Sequence, residues 1–261
     1  VKAQDKPAAE IAARNPWYVA SQFDAQMRTA GRRRVIEERW QAYERMIETW
    51  RRSAPGQRLS ILDAGCGDGI NLVGLSHLAV RRRWPMRLVG LDYNTLRLDR
   101  ARAIAPQVSL QCGALYALPY AATVFDVVVC AHVLEHVPHP ARALKELGRV
   151  LAHDGLLIVA VPNEGCRLAR LRNTVLQPAI GRTTDHVNFF TIGTLTTALT
   201  VAGFSVVDVV RETFFFPVSY VNVILAEFRV GHAVMKGLRW LWPSQAGGLI
   251  VAATRRGPSG A

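Results

Sequence analysis

The chain has 261 residues, 50% of them hydrophobic, with 32 Lys and Arg against 20 Asp and Glu for a formal net charge of +12. That length holds one large core with attachments and excludes two full-sized enzyme domains, while the positive field favours anionic partners without naming one. The cysteines, Cys66, Cys112, Cys130 and Cys166, form no C-x-x-C pair, which argues against a disulfide framework or a Cys-rich zinc site and points to a reducing, cytoplasmic setting.

Val1 to Asn15 is polar, Ala-rich and of mixed charge, unlike a secretory apolar region or a membrane span. Arg32 to Arg52 then carries Val35, Ile36, Trp40, Tyr43, Met46, Ile47 and Trp50 at helical spacing between charged residues. This predicts an amphipathic helix that makes residues 1–57 an N-terminal helical cap. From Arg58 onward, residues 58–261, short β-branched runs alternate with helical patterns, as in a mostly parallel sheet with helices on both faces. The predicted strands are Ser60 to Ala64, Arg87 to Asp92, Val108 to Cys112, Phe125 to Cys130, Leu156 to Val161, Ser205 to Arg211 and Leu249 to Thr254. Helices are predicted to begin near Asn71, Thr95, Pro140 and Thr191. Two insertions, 165–185 and 213–245, fall outside the alternation and are expected to shape a ligand site, since loops on a rigid sheet carry specificity. The longest uncharged apolar stretch, Thr213 to Ala226, is broken by Pro217 and falls short of the roughly 18 residues a spanning helix needs.

The run Ile61-Leu-Asp-Ala-Gly-Cys-Gly-Asp-Gly69 puts a glycine-rich turn between a buried strand and a helix, where glycines allow positive φ and close approach of a ligand to the backbone. Its spacing is G-x-G-x-G and not the G-x-G-x-x-G of a dinucleotide site. Asp63 and Asp68 bracket the turn and would repel a pyrophosphate, so the turn suits a ligand with a cationic amine and sulfonium. The second strand ends on Asp92, placed to accept from both hydroxyls of a ribose.

These features resemble the class I S-adenosylmethionine-dependent methyltransferases of the UbiE/UbiG-like small-molecule group. The resemblance runs through Leu62 to Gly69, Val89-Gly-Leu-Asp92, Ala117-Leu-Pro-Tyr120, Phe125 to His136, Leu144 to Leu151 and Val161-Pro-Asn163. It implies a Rossmann-like α/β fold of seven strands, the last antiparallel, with S-adenosylmethionine as cofactor and S-adenosylhomocysteine as product. It further implies that Asp63 and Gly65 hold the methionine moiety, Gly67 and Gly69 line the turn and Asp92 binds the ribose. Cys66, Asp68, Tyr93, Ala131 and His132 complete the expected cofactor contacts. Such families commonly carry an Asp for the adenine amine where this chain has Ala114, which leaves the backbone around Ala114 and Leu115 to bracket the base.

Methyl transfer from a sulfonium rests mainly on alignment, and a hydroxyl acceptor also needs a base. His132 follows the fourth strand at the sheet's ligand-binding edge and is one candidate, against a purely packing role. His186, in Thr184-Asp-His-Val-Asn-Phe-Phe190, is the second, as base or acceptor contact. His132-Val-Leu-Glu-His136 also spells the H-x-x-E-H of inverted zinc peptidases. With no third ligand apparent in sequence, no metal is expected.

Cys130 lacks the Pro-Cys context of pyrimidine C5-methyltransferases, and Ala131 to Leu134 lacks the loop of base N-methyltransferases, so nucleic acid is a weak expectation. Arg167 and Arg172, with Arg170 and Arg182, suggest an anionic small-molecule acceptor such as a nucleotide-linked or lipid-linked sugar, or a phenol, against plain surface solvation of these side chains. The aromatic segment from Thr213 to Trp242 suits a lid, an oligomer interface or a peripheral membrane contact. The expectation is an O-methyltransferase of a small metabolite; the competing readings are a non-catalytic partner subunit and, more weakly, an RNA methyltransferase.

Overall fold

The computed structural model describes residues 20–52, 58–183 and 185–255. Val1 to Asn15 and Thr184 lie outside the described residues. Seven strands, β1 Leu59–Ala64, β2 Met86–Asp92, β3 Ser109–Cys112, β4 Phe125–Ala131, β5 Leu151–Pro162, β6 Phe204–Arg211 and β7 Gly248–Arg255, form one sheet in the order β3-β2-β1-β4-β5-β7-β6. The strands β1 to β5 run parallel, and β7 lies antiparallel to both β5 and β6. This is the Rossmann-like arrangement expected from the sequence, including its reversed last strand.

The central strands are apolar on both faces because both are covered. Leu62, Val128, Leu157 and Val159 face one core together with Leu144 and Leu147 of the helix Pro140–Val150 and Leu195 and Leu199 of the helix Ile192–Val201. Ile61, Val127, Val129 and Ile158 face the other. Each fully buried Leu or Ile contributes about 1.5–3 kcal/mol relative to exposure.

Two helices precede the sheet: α1 Gln22–Met27 and α2 Ala30–Arg51. The Thr29 hydroxyl caps α2 by accepting from the Arg32 N–H. Ala42, Tyr43, Met46 and Ile47 then lie in the second core beside Leu75 and Leu78 of α3, Ile70–Arg82. Gly74 of α3 permits this approach, since a Cβ there would sit 2.4 Å from the Trp40 ring. After β2 comes α4, Thr95–Ile104, capped by Asn94; Pro140–Val150 is α5.

The 165–185 insertion folds as α6 Arg167–Leu171, a π turn at Arg172–Leu176 and α7 Pro178–Thr183. Ile192–Val201 is α8, opened by a capping box between Thr191 and Thr194. The 213–245 insertion folds as α9 Ser219–Glu227 and α10 Arg229–Leu241. Phe214 of that segment is buried, whereas Tyr220, Trp240 and Trp242 are 71%, 80% and 61% exposed. Strand β5 begins five residues earlier than its apolar run predicts, because Leu151 pairs with Phe125 across a register shift. Among the described residues no helix is long and apolar enough to cross a membrane.

Candidate functional site

The order of the sheet reverses between β1 and β4, and open α/β sheets bind ligands at the carboxyl ends of strands flanking such a point. Gly65, Gly67 and Gly69 leave β1 with φ of +84°, +54° and +89°, a region glycine enters without penalty. A Cβ on Gly65 would lie 2.3 Å from Val133 Cγ2, so the turn rests directly on the segment that follows β4. The N–H groups of Gly65 and Cys66 donate to the Leu91 carbonyl at 2.7 and 2.9 Å. Asp92 completes the brace, accepting from the N–H of Gly67 and of Asn94 at 2.9 Å each.

Asp63 is fully buried, and among the described residues neither of its carboxylate oxygens has a hydrogen-bond partner. Burial pushes its pKa from 3.8 up to about 7; the nearby Asn71 amide draws it down and the charge of Asp92 pushes it further up. An anion held this way is costly unless a cation reaches it. Asp92 is also raised, first by burial, with Arg97 opposing.

These residues fit S-adenosylmethionine. Asp63 would meet its cationic end, and the Asp92 oxygens keep lone pairs for ribose hydroxyls, while the glycines let Val133 and Arg97 close against the turn. Cys66 is buried, and burial pushes its thiol well up, so it serves as an inert wall. Tyr93 and Ala114 are exposed, whereas Leu115 and Ala131 are buried.

Asp68 is turned elsewhere. It accepts from Arg97 Nε at 3.1 Å and from the Gln22 N–H at 2.6 Å, with Arg100 Nη1 3.8 Å away. Arg97 Nη2 in turn donates to Gln22 Oε1 at 2.6 Å, and a Cβ on Gly67 would fall 2.1 Å from that nitrogen. The sequence reading missed this latch of α4 and α1 over the glycine turn, which only folding assembles.

On the other side, His132 follows β4 with φ +56°, the left-handed region that few non-glycine residues enter. Its Nδ1 lies 3.3 Å from Glu135 Oε1, and its Nε2 is buried without a partner among the described residues. His186 reaches the same place because Val187 and Asn188 donate their N–H groups to the Glu135 carbonyl at 2.8 and 3.0 Å. His186 Nδ1 is 2.5 Å from Glu164 Oε2, and Glu164 Oε1 accepts from Arg172 Nη2 at 2.8 Å. Burial works against the charge on both partners, yet their pairing leaves Glu164 lowered and His186 raised. The ring of His136 meets that of His186 edge to face at 4.7 Å, with Asp185 Oδ1 3.2 Å from His136 Nδ1.

Glu164 also lines a cavity of about 720 Å3 with Gly165, Arg170, Asn173, Thr174, Phe189 and Thr191. Of the arginines proposed from sequence, Arg172 is buried and committed to Glu164 and Asn173, with its guanidinium 4.9 Å from the Phe215 ring centre. Arg167 lines a smaller neighbouring cavity, and Arg170 borders the larger one. Glu164 went unselected in sequence, although its place just past β5 is the same positional signal that singled out His132.

Comparison with known proteins agrees with this geometry. A family model described as a methyltransferase domain matches residues 33–209. A probable S-adenosylmethionine-dependent methyltransferase of Mycolicibacterium smegmatis is 33% identical over 57% of this chain and 52% of its own length. A protein of the same description from Mycobacterium tuberculosis is 30% identical over 73% and 66%. A ubiquinone biosynthesis O-methyltransferase of Psychrobacter arcticus is 31% identical over 58% and 60%. The chain thus spans about half to two thirds of the length of these relatives.

Among solved structures, an S-adenosylmethionine-dependent methyltransferase of Mesorhizobium loti aligns over 80% of this chain and 96% of its own at TM-score 0.54 and 21% identity. The cyclase SpnF aligns over 84% and 83% at 0.53 and 20%, so this fold alone does not set a reaction. With the family model covering most of the chain and the glycine turn, Asp63 and Asp92 in place, this protein belongs to the methyltransferase-domain family, whose cofactor is S-adenosylmethionine.

Proposed function

We propose that this chain methylates a hydroxyl oxygen of a small, anionic acceptor, with His132 as the base. The observation that carries the reading is His132 itself. It stands at the carboxyl end of β4, next to the Val133 that packs on Gly65, with Nδ1 facing Glu135 and Nε2 buried and unpartnered. Glu135 orients the ring so that Nε2 carries the lone pair, and the strained backbone at His132 is consistent with a side chain aimed for function.

When bound, S-adenosylmethionine supplies an electrophilic methyl on a sulfonium. The chain's own part is to align the acceptor, keep water out and take the hydroxyl proton on His132 Nε2. The cavity beside Glu164 suits the acceptor: Asn173, Thr174, Thr191 and Thr194 offer hydrogen bonds, Phe189 an apolar face and Arg170 a positive charge for a carboxylate or phosphate. The O-methyltransferase relative from Psychrobacter supports oxygen as the methylated atom.

The test joins calorimetry to kinetics. Titration with S-adenosylmethionine and S-adenosylhomocysteine is expected to show micromolar binding, with none for NAD; anionic sugars and phenols are then screened as acceptors. His132→Asn should lower kcat by about 10²–10⁴ with little change in cofactor affinity. Undiminished turnover by that variant would refute the base, and absent cofactor binding by folded protein would favour a non-catalytic partner subunit.

A further inference from the structure

The sequence holds an H-x-x-E-H pattern without an apparent third ligand, and folding supplies one. A Glu135 oxygen and one ring nitrogen each of His136 and His186 lie within 4.8 Å of one another. We propose that Glu135, His136 and His186 form a binding site for a divalent transition-metal ion of the zinc class, open on one side to an acceptor oxygen.

Three observations carry the assignment. Glu135 is 1% exposed, and its Oε2 has no hydrogen-bond partner among the described residues, so a buried carboxylate oxygen is left open to a cation beside the imidazoles of His136 and His186. His136 Nε2 is 3.9 Å from Glu135 Oε1. Ligands on zinc bonds of about 2.0–2.1 Å sit about 3.3 Å apart in a tetrahedron, so the cluster needs to contract by roughly an ångström. The histidine side chains, 28% and 19% exposed, have room to turn inward.

The third observation lies behind the ligands. Each histidine meets a carboxylate at Nδ1, His136 that of Asp185 at 3.2 Å and His186 that of Glu164 at 2.5 Å. The His186 contact is a hydrogen bond, and a carboxylate bonded at Nδ1 holds the tautomer whose Nε2 carries the lone pair, the arrangement that orients metal-bound histidines; Asp185 stands near enough to His136 to do the same once that ring turns inward. Two imidazoles and one carboxylate suit zinc, cobalt or manganese better than magnesium, which demands oxygen ligands.

The role of the ion rests on the methyl-transfer reading, whereas its binding does not. An acceptor hydroxyl coordinated at the open position would lose its proton more readily. On that reading His132 Nε2 would take the proton and the oxygen lone pair so freed would be the nucleophile. The site thereby selects acceptors whose oxygen reaches the ion.

The experiment uses the untagged full chain, stripped with a chelator and titrated with Zn²⁺ against a chromophoric competitor, with bound metal counted by elemental analysis. One equivalent is expected, and Mg²⁺ in equal amount should not displace it. His136→Gln and His186→Gln should each weaken Zn²⁺ binding at least about tenfold, while His153→Gln, an exposed histidine outside the cluster, leaves it unchanged. Cofactor affinity of each variant, read by calorimetry, confirms that the fold survives. Substoichiometric zinc in the wild type, or wild-type zinc affinity in both cluster variants, overturns the site. Zinc binding without cofactor binding would instead sink the methyl-transfer reading and leave the metal site standing.

Discussion

Asp63 is the residue on which the cofactor half of the site turns, because its ionisation is opposed by its own burial. Its folded pKa of about 7 stands above the ordinary 3.8. The stabilisation from the protonated form is therefore complete below about pH 4 and is lost as pH rises through 7. Ligand-free protein should lose stability between about pH 4 and 7, by up to about 1.4 kcal/mol per unit from this group, and urea titrations of Asp63→Asn should show a flatter profile. A cationic ligand reverses the preference, so affinity for S-adenosylmethionine should rise over the same window. In Asp63→Asn that rise should vanish, with affinity at pH 8 about tenfold or more weaker, the worth of a charge-assisted contact. An unchanged calorimetric profile would mean that the amine sits elsewhere. Asp63 was legible in sequence because it lies inside a local motif. The orphaned state of His132 Nε2 was not, since it depends on what the rest of the fold packs around the ring.

At the scale of elements, α2 is bound to the sheet by more than its apolar stripe. Arg39 donates to Glu212, just past β6, through Nε at 2.8 Å and Nη2 at 3.3 Å, with both side chains largely buried. Burial works against both charges, yet the pairing leaves Glu212 lowered and Arg39 firmly protonated. Glu212→Gln strands the guanidinium and should cost about 3 kcal/mol in chemical denaturation, while Arg39→Met with Glu212→Leu should recover most of it. The helix itself was readable from the spacing of Ile36, Tyr43, Met46 and Ile47. Its partner was not, because Glu212 follows a strand far away in sequence and no local pattern links them. The strand limits fell close to expectation for a simple reason: covered on both faces, β1, β2 and β4 are built mostly of buried apolar residues, Ile61, Leu62, Val89, Leu91 and Val127 to Cys130 among them. Strand β5 began early because Leu151 pairs with Phe125 ahead of the register shift, and Ala152, His153 and Asp154, between it and the apolar run, lie partly solvated.

For the molecule as a whole, a ligand that binds only the folded state stabilises it by mass action. S-adenosylmethionine at a hundredfold excess over Kd should contribute about 2.7 kcal/mol and raise Tm by about 5–10 °C, readable by scanning calorimetry. The +12 charge combines with an outward face on α9 and α10 bearing Tyr220, Val230, Val234, Trp240 and Leu241. Aromatic and aliphatic groups displayed on a cationic protein are expected to bind vesicles containing anionic lipid. Co-sedimentation should fall in high salt and in a Trp240→Ser, Trp242→Ser variant; equal pelleting with neutral vesicles would count against that reading. By itself the sequence determined the sheet, the glycine turn and the acids at Asp63 and Asp92, since each depends on periodicity or on residues adjacent in the chain. The tertiary structure alone decided that Asp68 is spent on Arg97 and Gln22, that Arg172 neutralises Glu164, and that His186 joins Glu135 and His136. Those outcomes turn on which distant side chains arrive within a few ångströms, where charge and hydrogen bonding act and sequence spacing carries no information.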